Sequence, residues 1–176
     1  AIQDDSLIYQ MGRQIGKECK RLGVHVNFAP VVDVNSNPNN PIINNRSFGE
    51  DPKRVAQLSL AYMQGLQDEG ILACAKHFPG HGDTDSDSHK TLPTINHSKE
   101  RLDSMELIPF KYLFEKGLGS VMVAHLNIPS LDDTDSLAST LSKKVITDLL
   151  KEELAFDGLV FTDALNMKGV SKFYEP

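Results

Sequence analysis

Two kinds of apolar spacing alternate along the chain. Across residues 4–21, Leu7, Ile8, Met11 and Ile15 recur every three or four positions, which gathers side chains on one face of a helix. Gly23 ends that pattern, and the mostly apolar "VHVNFAPVVDV" reads as a strand. The pair then recurs. Asp51 stands at an N-cap, Pro52 at the first helical position, and Val55, Leu58, Tyr62 and Leu66 form a stripe that stops at Gly70 before "ILACAKH". A third stripe holds Leu102, Met105, Phe110, Leu113 and Phe114, with an irregularity expected at Pro109, and leads through Gly117 and Gly119 into "SVMVAHLNI". A fourth has Thr140 as its expected cap and Leu141, Val145, Ile146 and Leu149 on one face, and leads through Gly158 into "LVFTD". Helices alternating with short, almost continuously apolar strands predict an α/β fold, a parallel sheet covered by helices.

The polar residues have their own regularity, because they cluster just after each strand. Asp33 and Asn35 follow the first, Lys76 and His77 the second, His125 and Asn127 the third, Asp163 and Asn166 the fourth. Both a (β/α)₈ barrel and an open doubly wound sheet bind ligands at the carboxyl ends of their strands. The segments Asn35–Glu50 and Phe78–His97 are longer than an ordinary strand-to-helix connection of about 2–6 residues, which marks them as candidate functional loops over one mouth of the sheet.

Composition removes several classes of partner. The 176 residues, 40% of them hydrophobic, suffice for a sizeable core. The net charge of −6 comes from scattered acids with no basic run, so a nucleic-acid partner is disfavoured. Apolar runs such as Ile71–Ala75 are far shorter than the roughly 20 residues that span a bilayer. The beginning "AIQDDSLIYQ" has no basic or apolar leader pattern. Cys19 and Cys74 lack metal or redox spacing and read as small buried hydrophobes. Neither glycine-rich nucleotide motif occurs, and no cofactor is called for.

The densest chemistry lies in "KHFPGHGDTDSDSH", Lys76 to His89. Asp83, Asp85 and Asp87 have the alternate spacing of a calcium loop, but Ser88 stands where its turn glycine belongs and Thr94 where its bidentate Glu belongs. His77 and His81 are four apart, yet Pro79 and Gly80 between them prevent the helix that would aim both at one zinc ion. On composition alone a solvated acidic loop competes with any functional reading.

Three blocks resolve that competition by resemblance. "NFAPVVDVNSNPNNPIINNRSFGEDP", "KHFPGHGDTDSDSH" and "FTDALNM" resemble, in order and spacing, the signatures of glycoside hydrolase family 3, in its β-N-acetylglucosaminidase branch that acts on peptidoglycan fragments. The resemblance implies a (β/α)₈-type barrel and a retaining mechanism through a covalent glycosyl-enzyme intermediate. It assigns Asp163 as nucleophile, His89 with Asp87 as acid/base pair, and Arg46, Lys76 and His77 as ligands of the terminal sugar. A histidine acid/base suits neutral pH, because its unperturbed pKa lies near 6.5 and a neighbouring carboxylate fixes its tautomer. By the same resemblance His81 and Asp83 shape the loop. His125 faces the pocket or is a satisfied core histidine, and His25 and His97 receive no role. Related activities in the family, a β-glucosidase or a phosphorylase, are the enzymatic alternatives, and a non-catalytic carbohydrate-binding module is the alternative of another class.

Four strand-and-helix units are half of the eight a barrel needs. Residues 1–176 are therefore expected to be an incomplete catalytic barrel domain, with early strands and the carboxyl-terminal end lying elsewhere. The open edges of such a piece predict self-association and negligible activity of the 176 residues alone.

Overall fold

The computed structural model describes residues 2–86 and 91–173. Its first helix, α1 (Asp5–Arg21), begins where Asp4 accepts the N–H of Leu7. The buried face differs from the expected stripe: Ile8, Gly12 and Gly16 are buried, whereas Leu7 is 52% exposed. The reason lies in α2 (Pro52–Asp68), whose backbone crosses α1 closely. A Cβ on Gly12 would press into the Tyr62 carbonyl, and one on Gly65 into the Tyr9 carbonyl. Glycine is needed there for approach. The α2 stripe is as expected, with Val55, Leu58, Tyr62 and Leu66 buried and Asp51 accepting the Arg54 N–H at 2.7 Å.

The strands β1 (Val26–Asn27), β2 (Leu72–Phe78), β3 (Ser120–Val123) and β4 (Leu159–Thr162) form one parallel sheet in the order β1-β2-β3-β4. Sequential order, without reversal, is that of a barrel rather than of a doubly wound sheet. The sheet also curls. Three strand spacings of about 4.8 Å would put β1 and β4 about 14 Å apart on a plane. Yet Phe28, just past β1, meets Phe161 of β4 edge to face at 5.1 Å between centroids. The architecture is a partial α/β barrel.

Three local expectations need correction. The first strand does not run through "VHVNFAPVVDV", since Pro30 has no N–H to donate and follows a cis peptide. The segment still tracks β2 mainly by accepting: Ala29 and Pro30 carbonyls take the N–H groups of Cys74 and Lys76, and Val32 then donates to the Lys76 carbonyl. The third helix is two, α3 (Lys99–Ser104) and α4 (Leu107–Glu115). Pro109 would clash with the carbonyl four residues back, Met105, and there the chain breaks. The fourth helix is a π-wound segment, Lys144–Glu153, capped by Ser142 rather than Thr140: the Ser142 hydroxyl accepts the Val145 N–H at 3.1 Å. Thr140 sits one turn earlier and is bonded elsewhere.

Helix-facing strand residues Ala73, Ala75, Val121 and Val123 pack against Leu58, Leu66, Phe110, Leu113, Leu149 and Leu150. Burying each large side chain of this layer contributes about 1.5–3 kcal/mol. The alternate residues, including Lys76, Met122 and Phe161, face the concave side, and that side carries the polar chemistry. The edge strand β4 is less covered, with Leu159 57% exposed.

Candidate active site

At the carboxyl end of β2, strand alternation should send Lys76 and His77 to opposite faces. They nevertheless line one cleft, because the pairing with β3 steps from Lys76–Met122 to Phe78–Val123 and leaves His77 as an extra residue. Such a bulge re-aims a side chain. The Lys76–His77 and Phe78–Pro79 peptides are both cis.

Asp33 anchors the bulge from beneath. Fully buried, it accepts the His77 N–H at 3.2 Å, the His77 Nδ1–H at 2.7 Å and the His81 N–H at 2.7 Å. Burial alone would raise this carboxyl, but the two histidines outweigh it and hold Asp33 below the ordinary carboxylate range. With Nδ1–H engaged, His77 keeps Nε2 as an acceptor, and Arg46 Nη2 stands 3.4 Å from it. Arg46 rides a 3₁₀ turn, Asn44–Arg46, and also reaches the Ile42 carbonyl. The turn is pinned by buried Asn40, whose side-chain oxygen accepts the Ile42 and Ile43 N–H groups and whose amide donates to the His81 carbonyl.

A cleft of about 440 Å³ brings Arg46, Lys76, His77 and His81 together with Thr162, Asp163 and Ala164. Phe28, Ile42 and Met122 supply its apolar wall. Burial pushes the Lys76 ammonium below its usual pKa and Arg46 adds to this, while Asp163 opposes it. Asp163 follows β4 directly. Its N–H extends the ladder to the Val123 carbonyl at 3.0 Å, and its Oδ1 accepts the Ala164 N–H at 2.8 Å. Four of the six expected site residues, Arg46, Lys76, His77 and Asp163, thus share one cavity. Asp87 and His89 lie outside the described residues.

The loop leading toward them is tied down at its start. His81 is buried, and its Nδ1 meets the Thr84 hydroxyl at 2.6 Å. Burial pushes its imidazole below the ordinary value, although Asp33 works against this. Asp83 accepts the Ser36 hydroxyl at 3.2 Å and pairs with His97, so His97 has a structural partner that its sequence context did not suggest. Gly82 passes so close to the Val34 carbonyl that any side chain would collide with it.

Two residues gain roles that pattern alone did not assign. Asp33 was visible as a polar residue after a strand, but only its burial under His77 distinguishes it from its neighbours. His125 is buried, with Nδ1 2.7 Å from the Thr140 hydroxyl and Nε2 2.9 Å from the Ala164 carbonyl. It is thus a satisfied interior histidine directly behind Asp163. Among the described residues no group of three His, Cys, Asp or Glu side chains is disposed to hold a metal ion, and no helix is long and apolar enough to cross a membrane.

Comparison with known proteins agrees with this geometry. The model of the glycosyl hydrolase family 3 N-terminal domain matches residues 1–176. A β-hexosaminidase A of Pseudoalteromonas piscicida is 43% identical over 99% of this chain, which spans 31% of that protein. The structure of a family 3 β-N-acetylglucosaminidase from Paenibacillus sp. str. FPU-7 superposes with a TM-score of 0.95 at 47% identity, covering 98% of this chain and 32% of that one. NagZ from Neisseria gonorrhoeae, in complex with N-trifluoroacetyl-D-glucosamine, superposes with a TM-score of 0.86 at 35% identity, over 94% of this chain and 46% of that one. The chain therefore spans about a third to a half of the length of these relatives. By its sequence along the whole length and by its fold, the chain belongs to glycosyl hydrolase family 3.

Proposed function

We propose that this chain is part of the catalytic barrel of a retaining β-N-acetylglucosaminidase that removes terminal sugar from peptidoglycan fragments. What carries the reading is the common cleft of Asp163, Lys76, His77 and Arg46 in a chain whose relatives bear β-hexosaminidase names. In this mechanism Asp163 attacks the anomeric carbon as the glycosidic bond breaks, and His89 gives its proton to the departing oxygen. Water then attacks the glycosyl ester, His89 takes the water's proton, and Asp163 leaves as carboxylate. Two inversions retain the configuration. Asp87 steadies the imidazolium that gives its proton in the first step and is formed again in the second. Lys76, His77 and Arg46 supply hydrogen bonds to sugar hydroxyls, and the buried Asp33 fixes the His77 tautomer for that purpose.

Kinetics of the full-length enzyme on an aryl β-N-acetylglucosaminide test the assignment. Asp163→Ala is expected to lower kcat by on the order of 10⁴-fold or more. His89→Ala is expected to lose about 10²- to 10⁴-fold on poor leaving groups and far less on nitrophenol-type groups, which need little protonation. Near-normal turnover by Asp163→Ala would sink the reading, and sugar phosphate as the product in phosphate buffer would move the enzyme to phosphorolysis. The same reading makes the 176 residues alone an incomplete site with unpaired edges. They are expected to associate through the exposed β4 side and to show negligible turnover, which light scattering with an assay would report.

A further inference from the structure

The structure assigns His125 a specific task beyond filling space: we infer that it is a positioning residue that holds the turn carrying Asp163. The inference rests on Asp163 being the nucleophile. His125 comes two residues after β3, and its ring reaches across to the loop after β4. A backbone carbonyl can only accept, so the 2.9 Å contact with the Ala164 oxygen requires the hydrogen on Nε2. Nδ1 then has Thr140 as its partner at 2.7 Å. The Thr140 oxygen also lies 2.5 Å from the Ala124 carbonyl, next to His125 in sequence; its one hydrogen serves only one of these two contacts at a time, and both place the ring at the end of β3.

Ala164 is where this matters. Its N–H holds Asp163 Oδ1 at 2.8 Å, and its carbonyl receives both His125 and, at 3.0 Å, the N–H of Met167. The residue whose amide orients the carboxylate is therefore held on its other side by the imidazole. Two attachments join β3 to the nucleophile: the Asp163 N–H to the Val123 carbonyl, and the His125 ring to Ala164. The first fixes the strand end and the second fixes the turn beyond it. Among the described residues the imidazole is the side chain that reaches the Ala164 carbonyl from another strand's end. Release of the turn would let the carboxylate swing while leaving Lys76, His77 and Arg46 in place. A misplacement of about 1 Å at the reacting atom can cost on the order of 10²-fold in rate.

This separates kcat from KM. In the full-length enzyme, His125→Asn, whose amide is too short to reach Ala164, is expected to lower kcat for the glycosylation step about 10- to 100-fold with KM changed less than about two-fold. His125→Gln can extend its side-chain nitrogen to the position of Nε2 and is expected to recover kcat to within about three-fold of the parent. Both variants keep a buried amide, so thermal unfolding should be similar and does not account for the difference. An equal loss in the two variants, or a loss in KM alone, would overturn the inference. A second readout does not depend on activity: the ¹⁵N shifts of His125 should show the hydrogen on Nε2, and a ring protonated on Nδ1 only would overturn it as well. The Asp163→Ala control keeps the two readings apart. If that variant still turns over, the nucleophile assignment fails; if it is dead while His125→Asn matches the parent, only the positioning role fails.

Discussion

Two aspartates stand at strand ends on the same side of the sheet, and the protein uses them in opposite ways. Asp33, beneath the end of β2, is fully buried and takes hydrogen bonds from the His77 amide, the His77 ring and the His81 amide. Asp163, at the end of β4, is half-buried and takes one from the next residue's amide among the described residues. A fully buried carboxylate that holds three donors fixes geometry and lies out of a substrate's reach. One with a single backbone donor keeps an oxygen for bond formation. Burial and hydrogen-bond count thus separate the residue that supports the proposed sugar subsite from the residue proposed to attack.

The largest expected effect lies on the Asp33 side. Asp33→Ala leaves the His77 ring and two backbone amides without their acceptor in a buried setting. Leaving a buried donor without its acceptor costs about 1–3 kcal/mol for each group. A urea midpoint lowered at constant slope is expected, the shift times the slope giving a loss of at least that energy, and a loss below about 1 kcal/mol would break the contrast between the two aspartates.

Acid should reveal the same network in two stages. His81 has its folded pKa pushed below the ordinary 6.5 by burial. The unfolded chain therefore binds more protons as pH falls through 6.5, and stability declines from there towards the lower folded value. Asp33 is held below its ordinary 3.8, so its contribution is full above 3.8 and is lost as pH falls through the still lower folded value. Both signs agree that acid destabilises. Replacing His81 by Gln is expected to flatten the first stage and leave the second, as followed by unfolding midpoints against pH. An unchanged slope below 6.5 would remove His81 from the account.

Legibility followed the range of the interactions. Caps and stripes depend on neighbours a turn away, so Asp51, Pro52 and the α2 face could be read directly, as could the alternation that produces a parallel sheet. Features set by distant partners could not. The buried glycine face of α1 depends on Gly65 in α2, and the shared aim of Lys76 and His77 depends on a bulge against β3. Ser142 displaces Thr140 as a cap because Thr140 is committed to His125 and to the Ala124 carbonyl. The site residues came from motif resemblance, and the cleft shared by four of them is the spatial counterpart of that resemblance. Asp33 and His125 work through residues 44 and 39 positions away, a separation at which no local pattern carries a signal.

The smallest expected effect sharpens the comparison from the other side. Asp163→Asn keeps a side-chain oxygen able to accept the Ala164 N–H, and it removes a charge from a half-buried position on an edge strand. The change also lightens the field on Lys76, whose ammonium Asp163 supports against burial and Arg46. Neither consequence removes packing, and surface substitutions without such losses stay within about ±0.5 kcal/mol. Stability of the Asn variant should therefore match the parent within that range, even as turnover in the full-length enzyme disappears. A loss above about 1.5 kcal/mol, read from the same urea midpoints, would mean that Asp163 is also a structural anchor and that its single backbone donor understates its role.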